Sequence, residues 1–318
     1  MVISLIHWTN NYIAALEEIL GAKIYECHDK QEALKLLPET EIIITIGGGE
    51  YAVPIDDEML AASPKLRWVF SVSTGVEKLP LPVLHAKGVL VSNTKGVHAV
   101  PIAEYVLGGM LALSHHYHSF IREQQQCRWQ PVSPGEDLEG KTLCVIGVGS
   151  IGREIGKRAR AFDMRVIGLK KHPEPVADFD QVWGSARLHE ALAQSDYVVL
   201  ATPLTPETYQ LMGKAEFQKM KATAVFINIS RGDTVDEAAM IQALQEKQIA
   251  GAVLDVFHRE PLPADHPLWQ MANVIVTPHG AGISKNTLRK TVQLFRDNLT
   301  RYRQGQELIN QLREDQIY

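Results

Sequence analysis

The sequence predicts an α/β protein with two domains, each built on a parallel β-sheet. Short apolar runs recur along the 318 residues, and a helical pattern follows most of them. Near-continuous apolar runs are typical of strands in parallel sheets, because helices cover both faces of such sheets. The alternation of strand and helix therefore indicates two doubly wound domains of the Rossmann-like or flavodoxin-like type.

The apolar runs form two series, separated by a long helical segment at about 99–125 and a linker with proline and glycine at 130–135. The first series predicts strands at 42–46, 66–70 and 89–91. The second predicts six strands, at 143–146, 165–169, 197–201, 224–229, 251–254 and 274–276. Six strands suit a doubly wound nucleotide-binding sheet. The last amphipathic segment, at 284–304, predicts a helix with no strand after it.

Composition and charge exclude several classes of protein. With 45% hydrophobic and 22% charged residues, the chain has the composition of a globular protein. A net charge of -5 gives no bulk attraction to nucleic acid or to an anionic membrane, so neither partner is expected. Cys27, Cys127 and Cys144 are too widely spaced for a disulfide framework or a zinc site. Without a signal-peptide pattern or a membrane-length apolar run, the sequence predicts a cytoplasmic protein.

The most informative local motif is a glycine loop after the strand at 143–146. The sequence GVGSIG at 147–152 matches G-x-G-x-x-G, and a helical pattern follows it. These glycines would allow a tight turn and a close approach to a pyrophosphate, which the helix N-terminus attracts. A merely tight turn is the alternative, but the next strand at 165–169 favours a dinucleotide site. The predicted cofactor-binding residues here are Gly147, Gly149, Ser150, Ile151 and Gly152.

Two lysines, Lys170 and Lys171, follow that next strand. Lys170 lies 18 positions after Gly152 (170 − 152), close to the place where an acidic residue normally binds the ribose hydroxyls of NAD. An acid there would repel the 2′-phosphate of NADP, whereas a lysine attracts it. We therefore predict that both lysines bind the cofactor and favour NADP(H). In the alternative, they are solvated loop charges and the protein uses NAD(H).

Three further motifs follow later strands: NISRG at 228–232, LDVFHREPL at 254–262 and VTPHG at 276–280. With TPLT at 202–205 and the segment 96–108, they closely resemble the D-isomer-specific 2-hydroxyacid dehydrogenase family, in particular its glyoxylate/hydroxypyruvate reductases. The resemblance extends over most of the chain. Several chemically specific motifs in one order are much harder to meet by chance than a single glycine loop.

The resemblance implies a discontinuous arrangement of domains. Residues 1–98 and 284–318 would form a substrate-binding, catalytic domain, and residues 99–283 would form an inserted dinucleotide-binding Rossmann domain. The active site would lie in the interdomain cleft, and the protein would be a homodimer. The late helix at 284–304 fits this arrangement, because it carries no strand of its own and can return to the first domain.

The family gives the chemistry to three positions that match Arg231, Glu260 and His279. Reduction of a 2-ketoacid needs a hydride at the carbonyl carbon, a proton for the developing alkoxide and a cation for the substrate oxygens. Charged His279 can donate the proton, and Arg231 is a permanent planar cation. Glu260 at the other ring nitrogen would fix the tautomer and favour the imidazolium. Each could singly be a surface or turn residue, but together, after three strands of one sheet, they predict a catalytic site.

The resemblance also suggests further contacts with substrate and cofactor. A loop after a first-domain strand offers free backbone N–H groups to the substrate carboxylate. The predicted substrate-binding residues are Ser73, Thr74, Gly75, Val76 and Arg231. The remaining predicted cofactor contacts are Thr202, Pro203, Ile229 and Asp255. Thr202 could instead be an ordinary strand end, and Asp255 could cap a turn rather than touch the nicotinamide carboxamide.

A metal site is not expected. His115 and His118 would share one face of the helix at 99–125, but no nearby carboxylate or cysteine completes a set of ligands. A solvated or interface helix end is the favoured interpretation of these histidines.

The sequence thus predicts an NAD(P)-dependent oxidoreductase that reduces a small 2-ketoacid to a D-2-hydroxyacid. One alternative is a non-catalytic dinucleotide-sensing protein, since transcriptional corepressors share this fold. Another is a short phosphoglycerate dehydrogenase. Glu260 argues against the formate dehydrogenases of the superfamily, because their histidine is paired with glutamine.

Overall fold

The computed structural model describes residues 1–6, 10–47, 52–131 and 134–313. The chain divides into two compact units, one formed by Met1–His98 with Ile283–Tyr318 and the other by Ala99–Gly282. Part of the predicted linker, at 132–133, lies outside the described residues.

The strands and helices are numbered in chain order. The strands are β1 (Val2–Ser4), β2 (Ile24–Glu26), β3 (Ile42–Thr45), β4 (Trp68–Ser71), β5 (Leu90–Ser92), β6 (Thr142–Ile146), β7 (Arg165–Leu169), β8 (Gln181–Trp183), β9 (Tyr197–Leu200), β10 (Val225–Asn228), β11 (Gly251–Leu254) and β12 (Val274–Val276). The helices are α1 (Asn10–Leu20), α2 (Lys30–Leu36), α3 (Asp57–Ala61), α4 (Leu81–Ala86), α5 (Ala99–Ser114), α6 (Tyr117–Gln125), α7 (Ser150–Arg160), α8 (Leu188–Gln194), α9 (Lys214–Phe217), α10 (Glu237–Gln245) and α11 (Lys285–Arg303).

The first unit contains a parallel five-stranded sheet in the order β2-β1-β3-β4-β5. This is the flavodoxin-like order, in which the chain starts near the middle of the sheet and winds both ways. Strand β1 is internal, since Val2 lies opposite both Ile24 of β2 and Ile42 of β3. Neither β1 nor β2 was predicted from the sequence: β1 is short, and β2 is short and mixes buried with exposed residues.

The C-terminal segment completes the core of this same unit. Phe295 on α11 stacks on Trp68 with ring centroids 5.3 Å apart and meets Phe70 edge-on at 5.2 Å. All three side chains are fully buried, and each such burial stabilises the fold by about 1.5–3 kcal/mol. After the helix, the backbone N–H of Leu312 donates to the carbonyl of Val91 at 2.8 Å. The late helix is therefore an integral part of the first unit.

The second unit contains a parallel seven-stranded sheet in the order β12-β11-β10-β9-β6-β7-β8. Starting from β8, the order matches that of doubly wound dinucleotide-binding sheets, and β12 adds a seventh strand to the usual six. The strand order reverses between β6 and β9, which pair directly. All six strands predicted for this sheet are present, and β8 is a strand that was not predicted. Strand β8 was missed because Gln181–Trp183 is short and begins with an exposed polar residue.

The prediction of one helix over 99–125 is wrong. Helix α5 ends at Ser114, His116 adopts a left-handed conformation with φ of 58°, and α6 begins at Tyr117. The reason is packing: α5 is apolar and buries its residues against the sheet, whereas no residue of α6 is buried. His115 and His118 therefore do not share a helical face. Among the described residues, no group of histidine, cysteine or carboxylate side chains could hold a metal ion.

Across the part of the chain that the structure describes, every helix is too short or too polar to span a bilayer.

Candidate active site

The glycine loop lies at the switch point of the seven-stranded sheet. Gly147 has φ of +105°, a conformation that side-chain-bearing residues rarely adopt, and a Cβ atom there would lie 2.6 Å from the carbonyl oxygen of Ala201. A Cβ atom on Gly152 would lie 2.2 Å from the carbonyl oxygen of Gly147. By contrast, no atom lies within 4 Å of the Cβ position of Gly149, at the N-terminus of α7. The loop is thus tight internally and open where a ligand would approach.

The loop after β9 supplies a second feature that fits a dinucleotide. The hydroxyl oxygen of Thr202 is buried, and no described residue forms a hydrogen bond with it. A buried hydroxyl without a partner is costly, so a bound molecule is a natural source of that partner. The carbonyl of Thr202 accepts a hydrogen bond from the Ser230 hydroxyl, and Pro203 and Ile229 adjoin these two residues. The glycine loop and the Thr202 hydroxyl together fit a cofactor that contains a pyrophosphate.

Lys170 directly follows β7, and its backbone N–H donates to the carbonyl of Trp183 at 2.9 Å. Its ammonium group is ion-paired with the carboxylate of Glu174, and Arg153 Nη2 lies 3.6 Å from the same carboxylate. Lys171 is exposed. The two lysines were predicted from the sequence, but Arg153 and Glu174 were not. Arg153 is the residue after the last loop glycine, which could have drawn attention to it.

The histidine of the VTPHG motif has an unusual backbone conformation. His279 has φ of 51°, in the left-handed region that non-glycine residues seldom occupy. Its N–H donates to the carbonyl of Asp255 at 2.9 Å. The Asp255 carboxylate, 3% exposed, accepts hydrogen bonds from the N–H groups of Gly280 at 2.8 Å and Ala281 at 3.0 Å. Asp255 thus caps the turn that carries His279, which was the alternative role considered for it; its contact with a cofactor stays a prediction.

A tyrosine that the sequence analysis did not identify extends this network. Thr277 Oγ1 donates to the Asp255 carboxylate at 2.6 Å and lies 2.7 Å from the hydroxyl of Tyr105 on α5. Because the single hydroxyl hydrogen of Thr277 points at Asp255, Tyr105 is the donor to Thr277. Burial raises the pKa of Tyr105, which keeps that hydroxyl protonated. Hydrogen bonds therefore run from Tyr105 through Thr277 to Asp255, and they hold in place the turn that carries His279.

Glu260 pairs with the histidine directly. Its Oε2 atom lies 2.8 Å from His279 Nδ1, and its Oε1 atom accepts the N–H of Phe257 at 3.0 Å. Burial acts to raise the pKa of Glu260, but the hydrogen bonds from His279 and Phe257 and the nearby charges outweigh it, so the pKa is lowered. The carboxylate is therefore ionised at neutral pH, and its stabilising contribution is lost as the pH falls through that lowered value. With Nδ1 occupied, His279 Nε2 is left for a ligand.

Arg231 follows β10 and contributes a positive charge to the same group of residues. It helps to lower the pKa of Glu260. Its Nη1 atom donates to the carbonyl of Ser230 at 2.7 Å, and its own carbonyl accepts the Thr234 hydroxyl at 2.6 Å. A Cβ atom on the next residue, Gly232, would lie 2.0 Å from the carbonyl carbon of Phe257, so only glycine lets these two loops meet. Arg231, Glu260 and His279 thus gather at the ends of β10, β11 and β12.

The loop at 73–76 belongs to the first unit and follows β4. Ser73 Oγ accepts the N–H of Gly47 at 3.0 Å and donates to the carbonyl of Gly75 at 2.7 Å, which fixes the loop. Within the described ranges, no acceptor is found for the backbone N–H groups of Thr74, Gly75 and Val76. Gly75 and Val76 are buried. Buried donors without an acceptor are rare in proteins, and a run of such N–H groups, here two in buried residues and one in half-buried Thr74, is the kind of site that an anion occupies.

The doubly wound sheet with its glycine loop defines a dinucleotide-binding α/β protein, and the His279–Glu260 pair and Arg231 at the strand ends give it the groups of an oxidoreductase. The chain belongs to the D-isomer specific 2-hydroxyacid dehydrogenase family, whose NAD binding domain matches residues 107–281. The predicted family, the parallel two-sheet architecture and the use of a nicotinamide cofactor by an enzyme are thereby confirmed.

Several named proteins are similar to this chain over most of its length. A glyoxylate reductase of Korarchaeum cryptofilum is 35% identical over 268 residues, which cover 81% of this chain and 80% of that protein. The glyoxylate/hydroxypyruvate reductase B of Escherichia fergusonii is 36% identical over 258 residues, 79% of each chain. A D-isomer specific 2-hydroxyacid dehydrogenase from Xanthobacter autotrophicus, solved with NADPH and MES, superposes with a TM-score of 0.82 at 28% identity and covers 100% of this chain and 99% of that one.

Proposed function

We propose that this enzyme reduces a small 2-ketoacid, of the size of glyoxylate or hydroxypyruvate, to the D-2-hydroxyacid. The observation that carries the proposal is the 2.8 Å pair of His279 Nδ1 and Glu260, with Arg231 beside it at the end of the neighbouring strand. A histidine paired with a carboxylate that is itself close to an arginine suits acid–base chemistry on a carbonyl, which a non-catalytic dinucleotide sensor does not require. The names of the relatives from Korarchaeum cryptofilum and Escherichia fergusonii support the same substrate class.

In this mechanism the reduced nicotinamide, when bound, supplies the hydride that the carbonyl carbon accepts. Protonated His279 donates its Nε2 proton to the carbonyl oxygen, so that one hydride and one proton convert the ketone to a hydroxyl group. Glu260 stabilises the imidazolium before this transfer and fixes Nδ1 as the nitrogen that keeps its hydrogen. Arg231 holds the substrate oxygens and stabilises the negative charge that develops on the carbonyl oxygen. In the oxidative direction, neutral His279 accepts the hydroxyl proton.

We propose that the loop at 73–76 binds the substrate carboxylate. Support comes from the backbone N–H groups of Thr74, Gly75 and Val76, for which the described residues provide no acceptor. Ser73, fixed by its bonds to Gly47 and Gly75, holds the loop in shape rather than presenting its hydroxyl. Backbone donors suit a carboxylate because they require no side-chain ordering when the ligand binds.

The proposed activity is tested by mixing the purified protein with NADPH or NADH and a panel of 2-ketoacids that includes glyoxylate, hydroxypyruvate, phenylpyruvate and 3-phosphohydroxypyruvate. Oxidation of the reduced cofactor with a small 2-ketoacid is the expected result. If the cofactor binds but no member of the panel is reduced, the enzyme proposal fails and the sensing role is favoured. Turnover confined to 3-phosphohydroxypyruvate would identify a phosphoglycerate dehydrogenase.

We propose NADP(H) as the preferred cofactor, supported by Lys170 at the end of β7 and by the bound NADPH of the relative from Xanthobacter autotrophicus. Lys170→Asp should lower kcat/KM for NADPH by about tenfold or more, because it replaces a charged partner of the 2′-phosphate with a repelling one. The value for NADH should stay the same or rise, because an aspartate at this position can accept hydrogen bonds from the ribose hydroxyls. Steady-state kinetics with both cofactors measure this, and Lys219→Asp, at an exposed lysine of the same unit, is the matched control. An unchanged NADPH/NADH preference would contradict the role of Lys170.

A homodimer is also proposed, with a cytoplasmic location. In support of the dimer, Tyr117 and Ile121 on α6 are more than half exposed, and Trp129 is 100% exposed. Exposed apolar side chains clustered along one segment are typical of an interface between subunits. Light scattering on the purified protein should give twice the mass of the chain, and a Trp129→Ala, Ile121→Ser double variant should shift it toward monomer. A wild-type mass equal to one chain would refute the dimer.

A further inference from the structure

A small cluster of charged side chains lies at the end of β7, the second strand of the cofactor-binding unit, and the proposed activity does not explain all of its members. Lys170 and Arg153 approach it from two elements, the end of β7 and the first turn of α7. Glu174 lies between them, ion-paired with Lys170 and 3.6 Å from Arg153 Nη2. Both cations therefore converge on a single anionic group that belongs to the chain itself.

The position of this cluster is that of the adenosine ribose in doubly wound dinucleotide-binding sheets. The ribose lies at the end of the second strand, and cations near that end accommodate the 2′-phosphate when the cofactor is NADP. Lys170 is at that strand end, and Arg153 follows directly on the last glycine of the phosphate loop. A phosphate that reached both cations would meet the carboxylate of Glu174 in the same place.

We infer that Glu174 is an internal competitor for the 2′-phosphate: its carboxylate occupies the site between Lys170 and Arg153, and NADP(H) must displace it to bind. This inference builds on the proposed preference for NADP(H) and adds two residues to it, Arg153 as a second phosphate ligand and Glu174 as the group that limits affinity. NAD(H) has no 2′-phosphate and leaves Glu174 in place.

The charges and the exposure of the cluster agree with such an exchange. The hydrogen bond from Lys170 and the charges of Lys170 and Arg153 lower the pKa of the Glu174 carboxyl, so it is an anion at neutral pH. The Glu174 side chain is 58% exposed and that of Arg153 is 49% exposed. Exposed ion pairs are worth little, so the carboxylate can swing into solvent when a more highly charged phosphate arrives. Glu174 thereby narrows the difference in affinity between the two cofactors.

Binding measurements on the whole purified protein test the inference without turnover. The probes are 2′,5′-ADP and 5′-AMP, which differ only by the 2′-phosphate, together with NADPH and NADH. Glu174→Gln should tighten binding of 2′,5′-ADP and NADPH by about two- to fivefold and leave the binding of 5′-AMP and NADH unchanged. Arg153→Gln should weaken only the two ligands that carry the 2′-phosphate. When Lys170 is also replaced by glutamine, Glu174→Gln should raise the affinity for 2′,5′-ADP by less, because the carboxylate then no longer competes for that lysine.

A matched control separates this effect from the general change in charge. Glu39→Gln removes an exposed carboxylate that is ion-paired with Lys65 at 2.6 Å in the other unit, so it alters the net charge equally. It should leave the affinity for all four ligands unchanged. The inference is overturned if Glu174→Gln leaves 2′,5′-ADP binding unchanged, weakens it, or tightens 5′-AMP binding to the same extent. A wild-type preference for NADH would instead count against the proposed cofactor, while the comparison of the two nucleotides would still report on Glu174.

Discussion

Replacement of His279 by alanine is expected to lower kcat by about 10²–10⁴-fold, the usual contribution of a general acid. The proton that His279 donates matters mainly in the transition state, so the affinity for NADPH should change little. Steady-state kinetics with the best 2-ketoacid give kcat, and fluorescence titration gives the dissociation constant for the cofactor. The pattern of a large loss in turnover with intact cofactor binding is what identifies an acid rather than a structural residue.

His189→Ala is the matched control for that variant. His189 Nε2 also pairs with a carboxylate, Glu216, at 2.9 Å in the same unit, but it follows none of the strands that carry the proposed site. Its removal should leave kcat within about twofold, as expected for an exposed pair. A His279→Ala enzyme that turned over at the wild-type rate would remove this histidine from the mechanism.

Replacement of Arg231 by glutamine is expected to lower kcat/KM for the 2-ketoacid by on the order of 10²–10³-fold, because a charged partner of the substrate oxygens is lost. Both parameters should be affected: KM through the carboxylate, and kcat through the charge that develops on the carbonyl oxygen. The binding of NADPH in the absence of substrate should be nearly normal, and titration of the free enzyme measures it.

Arg231→Lys distinguishes charge from geometry at this position. A lysine retains the charge but not the planar fork that can hold two oxygens at once, so it should restore only part of the lost kcat/KM. Full activity with lysine would mean that charge alone is needed. Full activity with glutamine would mean that the substrate oxygens are held by other groups, such as the loop at 73–76.

The fold could be predicted from the sequence to the extent that strands were long and apolar. All six strands predicted for the second unit are present, because each is an apolar run of the kind that a parallel sheet buries. Strands β2 and β8 mix buried with exposed residues, so they show no apolar run. Strand β1 is buried but short, and its partners in the sheet decide its conformation. The break between α5 and α6 was missed because the sequence at His115 and His116 contains neither glycine nor proline.

For the candidate site, motifs identified the residues whose chemistry stands out, and the structure added those that act through position. The family resemblance implied that Glu260 contacts the other ring nitrogen of His279, and the two residues do pair at 2.8 Å. Tyr105 could not have been expected: it is 172 positions from Thr277 and stands in an apolar helix that reads as core. Contacts at such separations depend on tertiary packing, which local patterns do not encode.

The return of the C-terminal segment to the first unit has a consequence for synthesis on the ribosome. Residues 99–282 are contiguous and can fold as soon as they emerge, whereas Trp68 and Phe70 remain uncovered until Phe295 has been made. This aromatic, strand-forming surface must therefore avoid aggregation for the time that more than two hundred further residues take to be translated. Chaperone dependence, if the protein shows it, should thus arise from the first unit, although that unit is the first to leave the ribosome.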